Sequence, residues 1–180
     1  MIEILAVLTT LSCVILTRNS SMWCWPVGIM STLAYLWVFY EQHLWAQAIL
    51  QVIFTIQQGF GWYYWYTNKT KKPFFITSKR LTYDLMIMSV SVVFLTHILA
   101  NNTDNPQPAY DSVTSLLSIY GTWYLAKKNV YGWLMFILAD FFFIVMFVQQ
   151  KMPWSAGLYV ILLLIAFNGL VKWSKDINTA

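Results

Sequence analysis

Polar positions are sparse along this chain, and where they gather they divide it into seven apolar runs. The runs cover Ile2–Thr17, Trp25–Tyr40, Leu44–Tyr66, Leu81–Ala100, Ser112–Ala126, Val130–Val148 and Trp154–Trp173. The sixth holds nineteen residues, one of them charged. At about 1.5 Å of rise per residue, such a run nearly crosses a hydrocarbon core of about 30 Å. The pattern predicts an all-α integral membrane protein with seven transmembrane helices. Shorter runs reach across with tilt, interfacial Trp and Tyr anchors and snorkelling Lys. The fifth carries Ser115, Ser118 and Thr122, and reads equally as a helix buried among the others.

Two longer polar connections punctuate the pattern: Thr67–Arg80, basic with Pro73, and Asn101–Tyr110, with Pro106 and Pro108. They give a first three-helix repeat over 1–66, then a basic loop, linker helix and outer loop over 67–108, then a second three-helix repeat over 109–180. Sliding the chain on itself by 108 residues aligns the two halves without a gap. Trp25 falls on Trp133, Ile29 on Ile137, Phe39 on Phe147, Gln42 on Gln150, Gly61 on Gly169 and Trp65 on Trp173. Three helices plus one linker set both halves in the same direction, so the repeat is a parallel one. Transporters with such repeats bind substrate near the midplane, between the halves.

Against this apolar background the polar exceptions matter. Asp140 sits near the middle of the sixth run, with Trp133 and Phe136 seven and four residues back and Phe147 seven on, all on one helix face. A carboxylate at the bilayer centre costs about 2.5–3.5 kcal/mol, so it seldom faces lipid. Two readings are open: a hydroxyl from a neighbouring helix satisfies it, or it marks a site for a flat cation framed by aromatic rings. The third run carries Gln51, Thr55, Gln58 and Trp62 on one face, with Gln57 beside it. Such a stripe either bonds other helices or lines a cavity. The second run offers Trp25, Gly28 and Thr32, the last falling on Asp140 in the repeat frame. The seventh offers Asn168, whose amide both donates and accepts, while Tyr159 lies half a turn off that face. Gly61 and Gly169 read as close-approach positions. His97 and His43 read as structural and loop residues.

Composition narrows the class. Of 180 residues, 59% are hydrophobic and only 10% charged, against about 25% in soluble domains. The net charge of +4 does not signal nucleic acid, because the basic residues lie between apolar runs. Ten Lys and Arg fall on one side of the seven-span arrangement and only Lys151 on the other, beside Glu41, Asp104 and Asp111. The N-terminus is therefore expected outside and the C-terminus in the cytoplasm. Met1–Thr17 reads as a retained first helix rather than a signal peptide. Cys13 and Cys24 have no metal or redox spacing, no zinc cluster is spelled out, and no paired intramembrane carboxylates occur, since Asp84 and Asp111 sit near helix ends. No mid-membrane lysine and no phosphate-cradling loop are present, so neither enzyme nor cofactor is expected.

Several motifs are familiar together: W-x-x-G at Trp25–Gly28, L-W-A-x-x-x-L-Q-V at Leu44–Val52, G-W-Y-Y-W at Gly61–Trp65, W-L-x-F from Trp133, and F-N-G-x-x-x-W at Phe167–Trp173. The chain resembles the PnuC family of bacterial vitamin transporters over most of its length, least in the fourth helix. The resemblance implies a SWEET-like 3+1+3 arrangement in the bacterial inner membrane. It also implies facilitated passage of nicotinamide riboside, thiamine or riboflavin, trapping of the substrate by a cytoplasmic kinase, and a homotrimer. Nicotinamide-riboside members carry W-x-x-W followed four residues later by Asn, where this chain reads Trp133, Phe136 and Asp140. That departure points to the thiamine branch, PnuT, with nicotinamide riboside as the alternative. A non-transporting receptor or scaffold is the alternative from another class.

Overall fold

The computed structural model describes residues 2–41, 43, 45–103 and 107–178. Asp104, Pro106 and Gln42, used above for charge sidedness, connection composition and the repeat, lie outside the described residues. Seven helices follow in order: α1 (Ile2–Arg18), α2 (Cys24–Glu41), α3 (Trp45–Thr67), α4 (Ser78–Asn102), α5 (Pro108–Ala126), α6 (Tyr131–Gln149) and α7 (Pro153–Asn178). Of these, α4, α6 and α7 are each long and apolar enough to cross a bilayer. Proline opens α5 and α7, where its missing N–H costs no helical bond.

The turns repeat where the residues do not. Among the described residues, four non-glycine ones have positive φ: Ser20 at 54°, His43 at 57°, Lys128 at 60° and Lys151 at 57°. Ser20 pairs with Lys128 and His43 with Lys151 at the same 108-residue offset. Each follows the C-terminus of α1, α2, α5 or α6, where a left-handed residue stops a helix. The same left-handed turn thus recurs at the 108-residue offset with different side chains.

Six helices close into a ring. α1 packs on α2, α2 on α3, α3 on α5, α5 on α6, α6 on α7, and α7 returns to α1. The two seams between halves are sealed alike. The Trp65 indole N–H donates to the Ala126 carbonyl at 3.0 Å, and that of Trp173 to the Arg18 carbonyl at 3.3 Å. Both donors and both acceptors are 108 residues apart. α5 lies against α3, α4 and α6. Its polar residues Ser112, Thr114 and Thr122 are buried there, which accounts for a sequence too polar to read as a free-standing span.

α4 stands outside the ring against α5 and buries none of its residues. It is pinned near one end, where the Tyr124 hydroxyl donates to Asp84 at 2.7 Å and Arg80 approaches the same carboxylate at 3.7 Å. The connection before α4 is tied down as well. Phe74 N–H donates to the Lys128 carbonyl at 3.1 Å, and Val130 N–H to the Phe74 carbonyl at 3.0 Å. The Lys128 ammonium donates to the carbonyls of Asn68 at 3.1 Å and Lys71 at 2.7 Å. Burial, and then the nearby Lys71 charge, hold the Lys128 pKa below its ordinary value.

Candidate functional site

Two aromatic layers frame the interior. The first is a chain of four tryptophans contributed by α2, α3, α7 and α6. Trp25 meets Trp65 edge-on at 5.3 Å and 83°, and Trp133 meets Trp173 edge-on at 5.5 Å and 86°. Trp65 and Trp173 then join the halves at 6.1 Å. Both edge-on pairs depend on glycine: a Cβ on Gly61 would collide with the Trp25 ring, and one on Gly169 would lie 2.6 Å from the Trp133 ring. The second layer is stacked. Tyr35 lies on Phe39 at 5.8 Å and Phe143 on Phe147 at 6.2 Å, again 108 residues apart. Tyr159 of α7 stacks on Phe143 at 4.4 Å and on Phe147 at 5.4 Å.

Asp140 lies on α6 between these layers, two turns beyond Trp133 and one before Phe143. It is 5% exposed. Among the described residues it makes no hydrogen bond or ion pair, so a neighbouring hydroxyl does not satisfy it here. Tyr159 is close enough to interact electrostatically with both Asp140 and Tyr35, which brings α7, α6 and α2 to one region. Other buried polar atoms also lack a partner: the indole nitrogens of Trp25 and Trp133 and the amide oxygens of Gln57 and Gln58. Each unpaired buried group costs about 1–3 kcal/mol, a cost that stable cores normally avoid. Donors on both halves, amide acceptors on α3 and a carboxylate on α6 suit a polar, positively charged ligand between aromatic surfaces.

The remaining sequence-predicted residues divide. The Thr55 hydroxyl donates to that of Thr32 at 2.8 Å, joining α3 to α2. Gln51 supplies a backbone carbonyl 2.8 Å from the same Thr55 hydroxyl. Gln58 presses its amide on Gly28, where a Cβ would lie 2.6 Å from the amide oxygen. The matching position to Gly28 is Phe136, whose ring fills the space beside Gly121 of α5. Trp62 does not continue the stripe inward. It is exposed, and lines an outer groove with Gly59, Tyr63 and Tyr66. Trp25 already covers the α2 side of α3 at that level, over Gly61, and Trp62 lies outside.

Asn168 also sits elsewhere than expected. It lies on the exposed face of α7 with Ile161, Leu164 and Val171, and its amide donates to the Leu164 carbonyl at 2.9 Å. Tyr159, out of phase with Asn168 in the sequence, is an α7 residue close enough to Asp140 to interact with it electrostatically. The signal that finds it is the second aromatic layer, legible as Tyr35/Phe143 and Phe39/Phe147 at the repeat offset.

A ring of apolar helices, doubled in sequence and turn geometry and holding unpaired polar groups inside, is that of a multi-pass membrane protein. The family model described as nicotinamide mononucleotide transporter matches residues 1–175, and the chain belongs to that family. Two relatives, each called nicotinamide riboside transporter PnuC, come from Escherichia coli (strain K12) and Shigella flexneri. Each is 26% identical over 208 residues, covering 99% of this chain and 86% of the relative. The crystal structure of the vitamin B3 transporter PnuC shares the fold, with a TM-score of 0.79 and 17% identity over 97% of this chain and 81% of that one. The chain is a membrane transporter of this family.

Proposed function

We propose that the protein passes a flat, cationic vitamin down its concentration gradient through the interior of the ring, with nicotinamide riboside as the substrate. The observation that carries this reading is Asp140, a buried carboxylate that makes no hydrogen bond or ion pair among the described residues and lies between two aromatic layers. The names of its relatives supply the nicotinamide riboside. Facilitation, rather than pumping, is supported by a sequence that offers no second intramembrane carboxylate or histidine chain for a proton relay. The same reading places the chain in a bacterial inner membrane with its basic side cytoplasmic and its N-terminus outside. It works as a homotrimer, and a cytoplasmic kinase that modifies the vitamin keeps the gradient inward. Thiamine is the second reading, favoured by the charge of Asp140 and by Phe136 where nicotinamide-riboside members carry Trp.

Proteoliposomes test both. Labelled nicotinamide riboside is expected to enter or leave until its concentrations equalise, with unlabelled thiamine competing less well. Stronger competition by thiamine reverses the order of the two substrates. Accumulation driven by a proton or sodium gradient overturns facilitation. Binding without flux makes the protein a receptor or scaffold.

A further inference from the structure

Beyond the transport reading, the outer face of α3 holds a second feature. Gly59, Trp62, Tyr63 and Tyr66 line a groove of about 280 Å³ that faces away from the ring. These positions share one helix stripe and cover about 10 Å of the last two turns of α3, from within the apolar core to the interface. At Gly59 a Cβ would meet nothing within 4 Å, so the helix surface is open there between the aromatic rings. Its interfacial rim is cationic. The Lys69 ammonium stands 4.5 Å over the Tyr66 ring, exposed Lys72 follows, and Thr67–Arg80 contains five basic residues and no acid. Lys71 is engaged elsewhere, with the Tyr64 hydroxyl at 2.6 Å.

We propose that this groove holds one acyl chain of an anionic phospholipid, with its phosphate at Lys69. The apolar, aromatic-walled stripe matches the chain, and the acid-free rim matches the headgroup. A phosphate at the rim and an alkyl chain below it satisfy both ends of the groove at once.

The test measures lipid retained by the full chain in detergent by native mass spectrometry, with phosphatidylglycerol and phosphatidylcholine of the same acyl chains. The parent is expected to retain phosphatidylglycerol about fivefold better, the effect of one interfacial lysine on an anionic lipid. Lys69→Gln should level the two lipids, and Gly59→Leu should lose both. The leucine enters open space and favours helix, so the variant folds. Equal retention of the two lipids by the parent overturns the proposal, as does full retention by Gly59→Leu. Displacement of the lipid by glycerol phosphate alone reduces the site to a surface phosphate contact and also overturns it. A changed oligomeric state in Gly59→Leu, without lipid loss, assigns the groove to a second copy of the chain. The readout does not involve flux, so it stands or falls separately from the transport function.

Discussion

Asp140 holds a carboxylate where burial penalises the charge and no described side chain compensates it. A charged hydrogen bond made there to a ligand is worth about 1.5–3 kcal/mol, so Asp140→Asn should weaken vitamin binding by about ten- to a hundredfold. Titration of the purified, correctly assembled variant checks it, and parent-like affinity makes the acid a packing residue. Gly169 carries a different kind of constraint. With Trp133 ring carbon 2.6 Å from where a Cβ would stand, Gly169→Ala should cost about 1–3 kcal/mol of stability and lower the thermal midpoint. The pair Asn168 and Tyr159 shows the limit of reading one helix at a time. Both are polar, and periodicity fixes their angle to one another but not which of them turns inward. Asn168→Leu should therefore leave transport and stability nearly unchanged, within about 0.5 kcal/mol, as surface changes usually do. A substantial loss of uptake in that variant would place Asn168 at the substrate path after all.

Among the elements, the apolar runs located all seven helices, because the bilayer demands long apolar segments with internally satisfied backbones. Glycine and tryptophan spaced alike in both halves marked Gly61 and Gly169 as close-approach positions, but not the rings that fill them. What periodicity missed were positions decided by neighbours. The third-helix stripe predicted Trp62 beside Gln58, but Trp25 covers the α2 side of α3 at that level. The turns were equally hidden, since Ser20 and Lys128 share a conformation and no chemistry. Lys128 is the sharpest case. It accepts left-handed geometry, which glycine would adopt freely, yet its ammonium bonds two carbonyls of the preceding connection. Lys128→Gly relieves about 1 kcal/mol of backbone cost and loses both bonds, so it should still lower the thermal midpoint. A more stable glycine variant would show that the turn conformation outweighs the tether.

On the scale of the whole molecule, the ring closes because α3 reaches α5 and α7 reaches α1, pairings that no run of residues announces. The doubled pattern led to the expectation of two three-helix halves, but not to the pairings that close the ring. α4 bridges the halves in sequence without entering the ring, and its Asp84 bond to Tyr124 fixes it to α5. Tyr124→Phe should loosen α4, with faster hydrogen exchange in that helix and little change in vitamin affinity. Protection equal to the parent's would mean that lipid-facing packing holds α4 instead.

The four-tryptophan chain has an optical consequence. Indoles held 5.3–6.1 Å apart, two pairs nearly perpendicular, share their excited states and should produce a split near-ultraviolet circular dichroism signal. The Trp65–Trp173 step is the one link of that chain between the two halves. A rocking motion that parts the halves would divide one four-ring chromophore into two separate pairs. The protein thus carries its own spectroscopic reporter of opening, readable without a label, and Trp173→Phe should silence the change while keeping a ring in the seam.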